Sequence, residues 1–574
     1  MKNVRSFRLW PTAAFLLACA SPTATREPAS LKAPAGRPRG NAFDHVLRDL
    51  GLNVYFANLH AHHFMGKGQP SDYTCKSASG YAYDDGRPCR NNDERQNTKI
   101  EHADFLDYFT EACDYAREKG GLDILMITAH TKTSREKDTD TPPAELDLRR
   151  RKLAEINAKH AGRFLCGLGQ EASSISAGNH LGVMGHFPAQ GEATNPIYFD
   201  TGRFDRAYRE MGERSRAGER FIVQFNHPDV PKDLWWKPLA QTPRKEAMND
   251  YGLDDFAPIG CALKPAQLAE SGEVCTAERR EFLDRPLLEQ TFARIREVAN
   301  DPFRLIEVVR TGGATANPGE DFVAVHQRGG APEAEHDHGD EESGPAEKDS
   351  GFASLDKEIY NYIFYLNMGF RLGPTGNQDN HHMNWGTASA TRTGVVAASL
   401  AENDVFRALD SRRTYGSEDR NARALIYARL PEQIGKKERV IMGDVAETQA
   451  DHVRLYVLYD DPDAQDLVAG LRLYYYRAGQ KDLDFSRRVA PSSVQRLIEF
   501  GPNGQVTLPS GPPSDPAFKL ATSDRDPTLR AGYLAYFTLP LEAGEQYVFA
   551  EITQKSDRDR IWTAPIWIKR VPKP

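Results

Sequence analysis

Apolar residues follow strand-like and helix-like patterns in turn from about residue 43 to residue 417. Runs in which nearly every residue is apolar are typical of parallel strands buried on both faces. Longer segments between them carry apolar residues at helical spacing. The pattern predicts strands at Asn53–Leu59, Leu122–Thr128, Phe164–Leu168, Phe221–Phe225, Leu305–Val309 and Phe370–Gly373, and helices at Ile100–Lys119, Pro143–His160, Leu287–Val298 and Leu355–Leu366.

Repeated βα units of this kind predict an α/β fold whose parallel sheet closes into a barrel. Two insertions, residues 229–283 and 312–352, interrupt the units. After about residue 418 the pattern changes to short aromatic and β-branched runs separated by Gly, Pro and Asp. Such runs are typical of an antiparallel β-sandwich, which predicts a separate C-terminal domain at residues 418–574.

Composition and charge narrow the function classes. At 574 residues the chain is too long for one small core, and 40% hydrophobic with 27% charged residues is ordinary for a globular protein. The formal net charge of −8 supplies no basic excess to neutralise phosphates. We therefore expect no general binding to nucleic acid.

The N-terminus predicts export. Basic residues precede a short apolar run that ends in Leu16-Leu17-Ala18-Cys19. This order is typical of a signal peptide, and the placement of Cys19 resembles a bacterial lipobox, in which the cysteine is lipidated. A plain secretory signal with an incidental cysteine is the alternative. We predict a signal peptide at residues 1–19 and a flexible tether at 20–42, with a membrane contact only through a lipid anchor, facing the periplasm or cell exterior.

The other cysteines fit an oxidising compartment, because six remain once Cys19 is set aside. Cys75 with Cys89 and Cys261 with Cys275 would each close a short polar loop, which would leave Cys113 with Cys166. Formally, six cysteines allow about 15 pairings.

Residue types that bind metals stand at the ends of the predicted strands. Residues i and i+2 of a strand point to the same side, so His60 and His62 can aim at one metal ion. The carboxyl ends of parallel strands share one face of a barrel, where catalytic groups collect. A ring of such groups would be costly to bury unless a cation satisfied it. The later strand ends add His130, Glu171, His227, Asp379 and His381.

These residues resemble, in the same order, the motifs of the PHP (polymerase and histidinol phosphatase) superfamily. They are His60-Ala61-His62, His130, Glu171, His227-Pro228 and Asp379-Asn380-His381. More narrowly, the tract Ser411–Tyr415 and a β-rich tail closing near Trp562–Trp567 resemble the exported, carbaryl-hydrolase-like branch. The resemblance covers roughly residues 50–420 and, more loosely, the tail. It implies a distorted (β/α)7 barrel with two or three divalent metal ions at the carboxyl face.

The resemblance also implies which residues bind metal. His60 and His62 would bind one ion, and Glu171 would bridge two. His130 and His227 would complete the second site. Asp379 and His381 would serve the first ion or a third. Mixed imidazole and carboxylate ligands suit zinc, manganese or iron.

The chain departs from the family pattern at three points. Ala129 precedes His130 where the family has an aspartate, and the loss of a residue that orients a ligand weakens a metal site. The acidic or histidine ligand expected soon after His62 has no clear position, and Asp72 is our candidate. Both His180 and His186 are candidates for a further ligand, and either can instead be a hydrogen-bonded core histidine. Spacing does not choose between them.

The implied activity is metal-assisted hydrolysis of a small, anionic substrate, with a phosphoester as the first hypothesis. Asp379, His381 and His227 are the candidate catalytic residues. Hydrolysis of a carboxyl ester, carbamate or amide is the alternative, because the same metal pair serves both. A lipid-anchored binding protein that keeps its metals but has lost catalysis is the rival from another class. No Walker loop, serine nucleophile elbow or dinucleotide fingerprint occurs, which excludes those enzyme classes.

Overall fold

A computed structural model describes a little over half of the chain. All described residues lie within one compact unit, Pro38–Pro574. In the described part, no helix combines the length and the apolar character needed to cross a membrane. The described ranges are 42–62, 105–131, 143–172, 180–185, 204–228, 285–310, 357–379, 385–430, 439–463, 466, 468–477, 495–500, 506–507, 520–522 and 533–572.

A curled half-barrel sheet dominates the N-terminal part of the structure. Its strands are β1 (Asn53–Ala61), β2 (Ile124–Thr131), β3 (Leu165–Ala172), β4 (His180–Met184), β5 (Ile222–Asn226), β6 (Phe303–Arg310), β7 (Gly373–Asn377) and β8 (Arg392–Ala397). Their spatial order is β8-β1-β2-β3-β4-β5-β6-β7. Parallel pairing joins β1 to β2, β2 to β3, β5 to β6 and β6 to β7. Strand β4 runs antiparallel to both β3 and β5, and β8 runs antiparallel to β1.

The curl brings the end of β7 back to the end of β1. The side-chain oxygen of Asn377 accepts a hydrogen bond from the backbone N–H of Leu59 at 2.8 Å. Immediately beyond β7, the backbone N–H of Asp379 donates to the carbonyl of His60 at 3.0 Å. Because β1 and β7 are not neighbours in the strand order, these bonds show that the sheet bends round on itself.

The described helices between residues 105 and 410 bury apolar residues against the half-barrel, whereas the helix Ala42–Leu50 packs Phe43 and Leu47 into the core of the C-terminal part. The helix Phe105–Glu118 shows this pattern: Phe109, Ala112, Cys113 and Ala116 recur at helical spacing and are all fully buried. The helices are α1 (Ala42–Leu50), α2 (Phe105–Glu118), α3 (Pro143–Lys159), α4 (Phe204–Arg216), α5 (Arg285–Val298), α6 (Lys357–Asn367) and α7 (Glu402–Asp410).

The C-terminal part is built from strands. They are β9 (Thr414–Ser417), β10 (Arg423–Arg429), β11 (Arg439–Ile441), β12 (Val445–Thr448), β13 (His452–Asp460), β14 (Val468–Arg477), β15 (Gln495–Phe500), β16 (Val506–Thr507), β17 (Leu520–Thr522), β18 (Tyr533–Pro540), β19 (Gly544–Gln554), β20 (Arg560–Thr563) and β21 (Ile566–Arg570). Strand β9 pairs with both β8 and β20, so the half-barrel sheet continues into the C-terminal part. A separate antiparallel sheet has the order β11-β10-β13-β18-β17.

The prediction of a mixed α/β protein with a β-rich C-terminal part is confirmed at this level. Three details differ from the sequence-based expectation. The half-barrel is not purely parallel, because β4 runs against its neighbours. The strand expected at Phe370–Gly373 begins only at Gly373. Ile561–Ile568, one of the short aromatic and β-branched runs that we expected to form single strands, forms two strands, β20 and β21. They are separated around Pro565, a residue that cannot donate to a sheet ladder.

An aromatic core supports the strands that lead to the site. The ring of Phe225 on β5 stacks on Tyr365 and Phe303, with centroids 4.5 and 5.2 Å apart, and contacts Phe370 edge-on at 5.3 Å. A disulfide bond joins Cys113 on α2 to Cys166 on β3, which confirms that predicted pair. The other two predicted pairs, Cys75 with Cys89 and Cys261 with Cys275, lie outside the described residues.

Candidate metal centre

Two histidines meet at the carboxyl end of β1, His60 inside the strand and His62 directly after it. His60 is fully buried and His62 nearly so. Because their side chains point to the same side of the strand, their Nε2 atoms lie 3.2 Å apart. Two imidazole nitrogens at this distance aim at one point in space.

Two carboxylates complete this first group of ligands. Asp379 Oδ1 lies 3.2 Å from His60 Nε2 and 3.0 Å from His62 Nε2. Glu171, at the end of β3, places Oε1 3.1 Å from His60 Nε2 and Oε2 3.3 Å from His62 Nε2. The ligand atoms of these four buried residues all lie within 4.8 Å of one another.

The donor set of the first group fits a divalent metal ion. His60 Nδ1 lies 2.8 Å from Glu307 Oε1, a partner that keeps the proton on Nδ1 and turns the lone pair of Nε2 towards the other three ligands. Four ligand atoms around a metal at ~2.0–2.1 Å are separated by ~3.3–3.4 Å when the geometry is tetrahedral. The measured distances of 3.0–3.3 Å come close to that spacing.

Electrostatics at His60 point the same way. Burial would lower the pKa of His60, but Asp379, Glu171 and Glu307 together raise it well above its ordinary value. Three buried carboxylates therefore create a strong demand for positive charge where the ligand atoms converge. A divalent cation meets that demand.

A second group shares Glu171 with the first. His180 Nδ1 and His227 Nε2 each lie 3.1 Å from Glu171 Oε1, and the three residues form a possible ion site. The side chains of His180 and His227 are 15% and 13% exposed, compared with 0% for His60. The second group therefore forms the solvent-facing side. We call the two groups together the strand-end cluster: His60, His62, Glu171, His180, His227 and Asp379.

The backbone is strained at two residues of the strand-end cluster. His227 has φ 30° and Asp379 has φ 45°, values that residues other than glycine rarely adopt. Each follows the end of a strand. The N–H of His227 donates a short hydrogen bond to Glu307 Oε2, and the N–H of Asp379 donates to the carbonyl of His60. Hydrogen bonds to β6 and β1 thus hold the backbone of His227 and Asp379 in place.

Buried polar residues that we did not predict as site residues surround the cluster. Asn226 Nδ2 donates to Glu171 Oε1 at 3.1 Å, and Asn377 Nδ2 donates to Glu307 Oε1 at 3.0 Å. Gln224 Nε2 donates to Asn226 Oδ1 at 2.8 Å. The sequence held a signal for them, since polar residues inside otherwise apolar strands need a buried partner. Glu307 in Leu305–Val309 is the clearest case.

The structure brings together part of the predicted ligand set. His60, His62, Glu171, His227 and Asp379 meet, and so does His180, one of the two open candidates. Whether they bind metal stays a prediction. The backbone of His130 pairs with that of Glu171, but its side chain lies outside the described part. The predicted residues His381, Asp72 and His186 also lie outside it.

Comparisons with known proteins add little. No protein-family model and no curated protein matches the chain. Among solved structures, one match is a two-domain protein from Bacteroides vulgatus that contains a predicted PHP-like metal-dependent phosphoesterase. The two sequences are 12% identical, and the match covers 90% of this chain and 96% of that chain with a TM-score of 0.32. A likeness this distant carries no argument about this chain.

Proposed function

We propose that this chain is a metal-dependent hydrolase and that its substrate is a phosphoester. The observation that carries the proposal is the convergence of imidazole and carboxylate ligand atoms at the ends of separate strands. The choice of a phosphoester rests on the sequence resemblance to the PHP superfamily alone.

His60, His62 and Asp379 would hold one ion, His180 and His227 a second, and Glu171 would lie between them. Bound zinc, manganese or iron would supply an acidified water and neutralise charge developing on a substrate oxygen. A carboxylate shared by two ligand groups fits the ~3.5–4 Å spacing of ions in two-metal hydrolases. The strand-end cluster does not include His381 and His130. We propose both as further ligands.

The chain's own residues would then position the substrate and move protons. His227 and His180 line the more exposed side, so an anionic substrate would approach across them. Asp379 Oδ2 lies 4.0 Å from His227 Nε2. Asp379 Oδ2, on the side that faces His227, would carry a proton between the reacting water and the leaving group while His227 Nε2 holds its ion. His381, two residues beyond Asp379, is the other candidate for this proton transfer.

The finer features of the family resemblance belong to the same proposal. They are the closed (β/α)7 barrel, the C-terminal β-sandwich, the carbaryl-hydrolase-like branch and the lipid anchor at Cys19. The disulfide bond between Cys113 and Cys166 supports export, since such bonds persist in oxidising compartments.

The test is hydrolysis by the full chain before and after metal removal. Purified protein would be treated with a chelator, dialysed and supplied separately with Zn²⁺, Mn²⁺ or Fe²⁺. We expect turnover of p-nitrophenyl phosphate or bis-p-nitrophenyl phosphate that the chelator abolishes and one of the metals restores.

Two outcomes separate the alternatives. Turnover of p-nitrophenyl acetate alone would replace the phosphoester with a carboxyl ester or carbamate and leave the metal centre intact. Bound metal without turnover of any of the three substrates would favour a binding protein and contradict the proposed hydrolase.

A further inference from the structure

One carboxylate contacts both ligand groups of the strand-end cluster. Glu307 lies on β6, between β5 and β7, and is 3% exposed. Its Oε1 lies 2.8 Å from His60 Nδ1, in the first group. Its Oε2 accepts a hydrogen bond from the backbone N–H of His227, in the second group. Neither oxygen is a member of a ligand group itself.

The two contacts act on different properties of the ligands. The contact with His60 fixes which ring nitrogen carries the proton, so that Nε2 presents its lone pair to the first ion. The contact with His227 restrains a backbone at φ 30°, and that backbone sets the direction of the imidazole. Losing either contact would misdirect one ligand of one group.

Neighbouring amides fix Glu307 in turn. Asn377 Nδ2 donates to Glu307 Oε1 at 3.0 Å, and Gln224 Nε2 approaches the same oxygen at 3.5 Å. Asn377 and Gln224 are both fully buried.

We propose that Glu307 is a positioning residue that couples the two ligand groups, so that one side chain sets the metal affinity of both. This inference rests on the proposed function, because it presupposes that the two groups bind ions. Glu307 touches no reacting atom in this account and acts only through His60 and His227.

The test compares metal binding in Glu307→Gln and Glu307→Ala with that of the wild-type protein. Each metal-free protein would be titrated with Co²⁺, followed by its visible absorption spectrum, and with Zn²⁺ by calorimetry, both without substrate. Removing residues that orient metal ligands typically weakens affinity ~10–100-fold. We expect Glu307→Ala to weaken both binding events by such a factor. We expect Glu307→Gln to weaken one binding event. An amide has a single acceptor oxygen, which cannot serve both His60 Nδ1–H and the backbone N–H of His227.

Glu551→Gln is a matched control for loss of a buried carboxylate. Glu551 on β19 is 6% exposed and accepts hydrogen bonds from the hydroxyl of Tyr474 at 2.7 Å and the indole of Trp562 at 3.2 Å. We expect this variant to lower the melting temperature and leave both metal affinities unchanged. A purely structural Glu307 would behave in the same way.

The outcomes are distinguishable. If wild-type protein binds two ions and both Glu307 variants bind them with wild-type affinity and spectra, the positioning role is wrong and the proposed function stands. If Glu307→Ala fails to fold, the isosteric Glu307→Gln decides: weaker binding of one ion supports the positioning role, and wild-type binding of both ions overturns it. If wild-type protein binds neither Co²⁺ nor Zn²⁺, the proposed function fails first, and the inference fails with it.

Discussion

Among the residues that the structure describes, two clusters of side chains have the residue types of a metal site, and they differ in what surrounds them. One is the strand-end cluster. The other is an acidic cluster in the C-terminal part, formed by Asp419, Asp461 and Asp466, whose carboxylate oxygens also lie within 4.8 Å of one another. Counting possible ligands does not separate the two. Their hydrogen bonds and their donor types do.

The acidic cluster satisfies its own carboxylates. Asp419 Oδ1 accepts hydrogen bonds from the backbone N–H groups of Asn421 and Ala422 at 2.6 and 2.7 Å. Asp461 Oδ1 accepts one from its own loop at 2.8 Å, and its Oδ2 accepts one from Gln554 at 2.9 Å. Burial and the neighbouring carboxylates raise the pKa of Asp461 to about 8. Local donors therefore account for the carboxylates of Asp419 and Asp461.

The strand-end cluster has the opposite character. A carboxylate behind His60 turns an imidazole lone pair towards other acceptors, so local hydrogen bonding intensifies the demand for a cation. The difference teaches that orientation of the ligands by neighbouring residues, more than the number of acidic groups, marks a candidate metal centre.

The largest predicted effect comes from removing one ligand of the strand-end cluster. His62→Ala or Asp379→Asn should lower the hydrolysis rate by ~10³-fold or more, because metal ions contribute several kcal/mol to transition-state stabilisation. Steady-state kinetics with the best phosphoester substrate measures the effect. Asp461→Asn is the matched control and should retain wild-type activity. If Asp461→Asn lowered the hydrolysis rate as much as the two ligand variants do, the strand-end cluster and the acidic cluster would not differ in function.

The next largest effect concerns stability. The disulfide bond between Cys113 and Cys166 closes a loop with a sequence separation of 53, and it ties α2 to the strand that carries Glu171. Replacing both cysteines with alanine should lower the free energy of unfolding by ~2–4 kcal/mol, through the restored freedom of the unfolded chain. Chemical denaturation checks this value, and zinc titration of the folded variant should match wild type. We thus assign the disulfide bond a role in stability and none in zinc binding. A loss of zinc affinity without a loss of stability would contradict this assignment.

A third effect, measured as a slope of stability against pH, should distinguish the acidic cluster. The pKa of Asp461 is about 8 in the folded protein and 3.8 for an ordinary aspartate, so the folded state holds a proton that the unfolded state has released between those values. The free energy of unfolding therefore falls as pH rises through this window, by up to ~1.4 kcal/mol per pH unit for one group. The stabilisation is complete below about pH 4 and lost above about pH 8.

Asp461→Asn mimics the protonated carboxyl and should flatten that slope. Denaturation of metal-free protein between pH 5 and 8 measures it. Asp559, whose pKa burial and nearby carboxylates also raise to about 8, should keep part of the slope in the variant. An unchanged slope after Asp461→Asn would show that Asp461 is ionised throughout.

The sequence predicted those parts of the site that depend on local geometry. His60 and His62 follow from the two-residue repeat of a strand, and Glu171 and Asp379 from their places at strand ends. The sequence did not predict the antiparallel course of β4, which places His180 beside Glu171. A strand as short as His180–Met184 carries no pattern that shows its direction, which depends on the strands that it meets.

The roles of Glu307 and Asn226 could not be predicted from the sequence either. Both are polar residues inside apolar strands, which is a visible signal, but their partners lie on other strands far away in the chain. A sequence shows that a buried polar residue needs a partner, and only the assembled sheet shows which one it has.

The measurement that tests the central claim most directly is the metal content of the full-length protein. Metal-free protein would be loaded with zinc or manganese, freed of excess metal and analysed by inductively coupled plasma mass spectrometry. This account predicts at least two ions per chain, with an unchanged value for Asp461→Asn. Retention of no ion by the wild-type protein, or loss of the ions in Asp461→Asn, would contradict it.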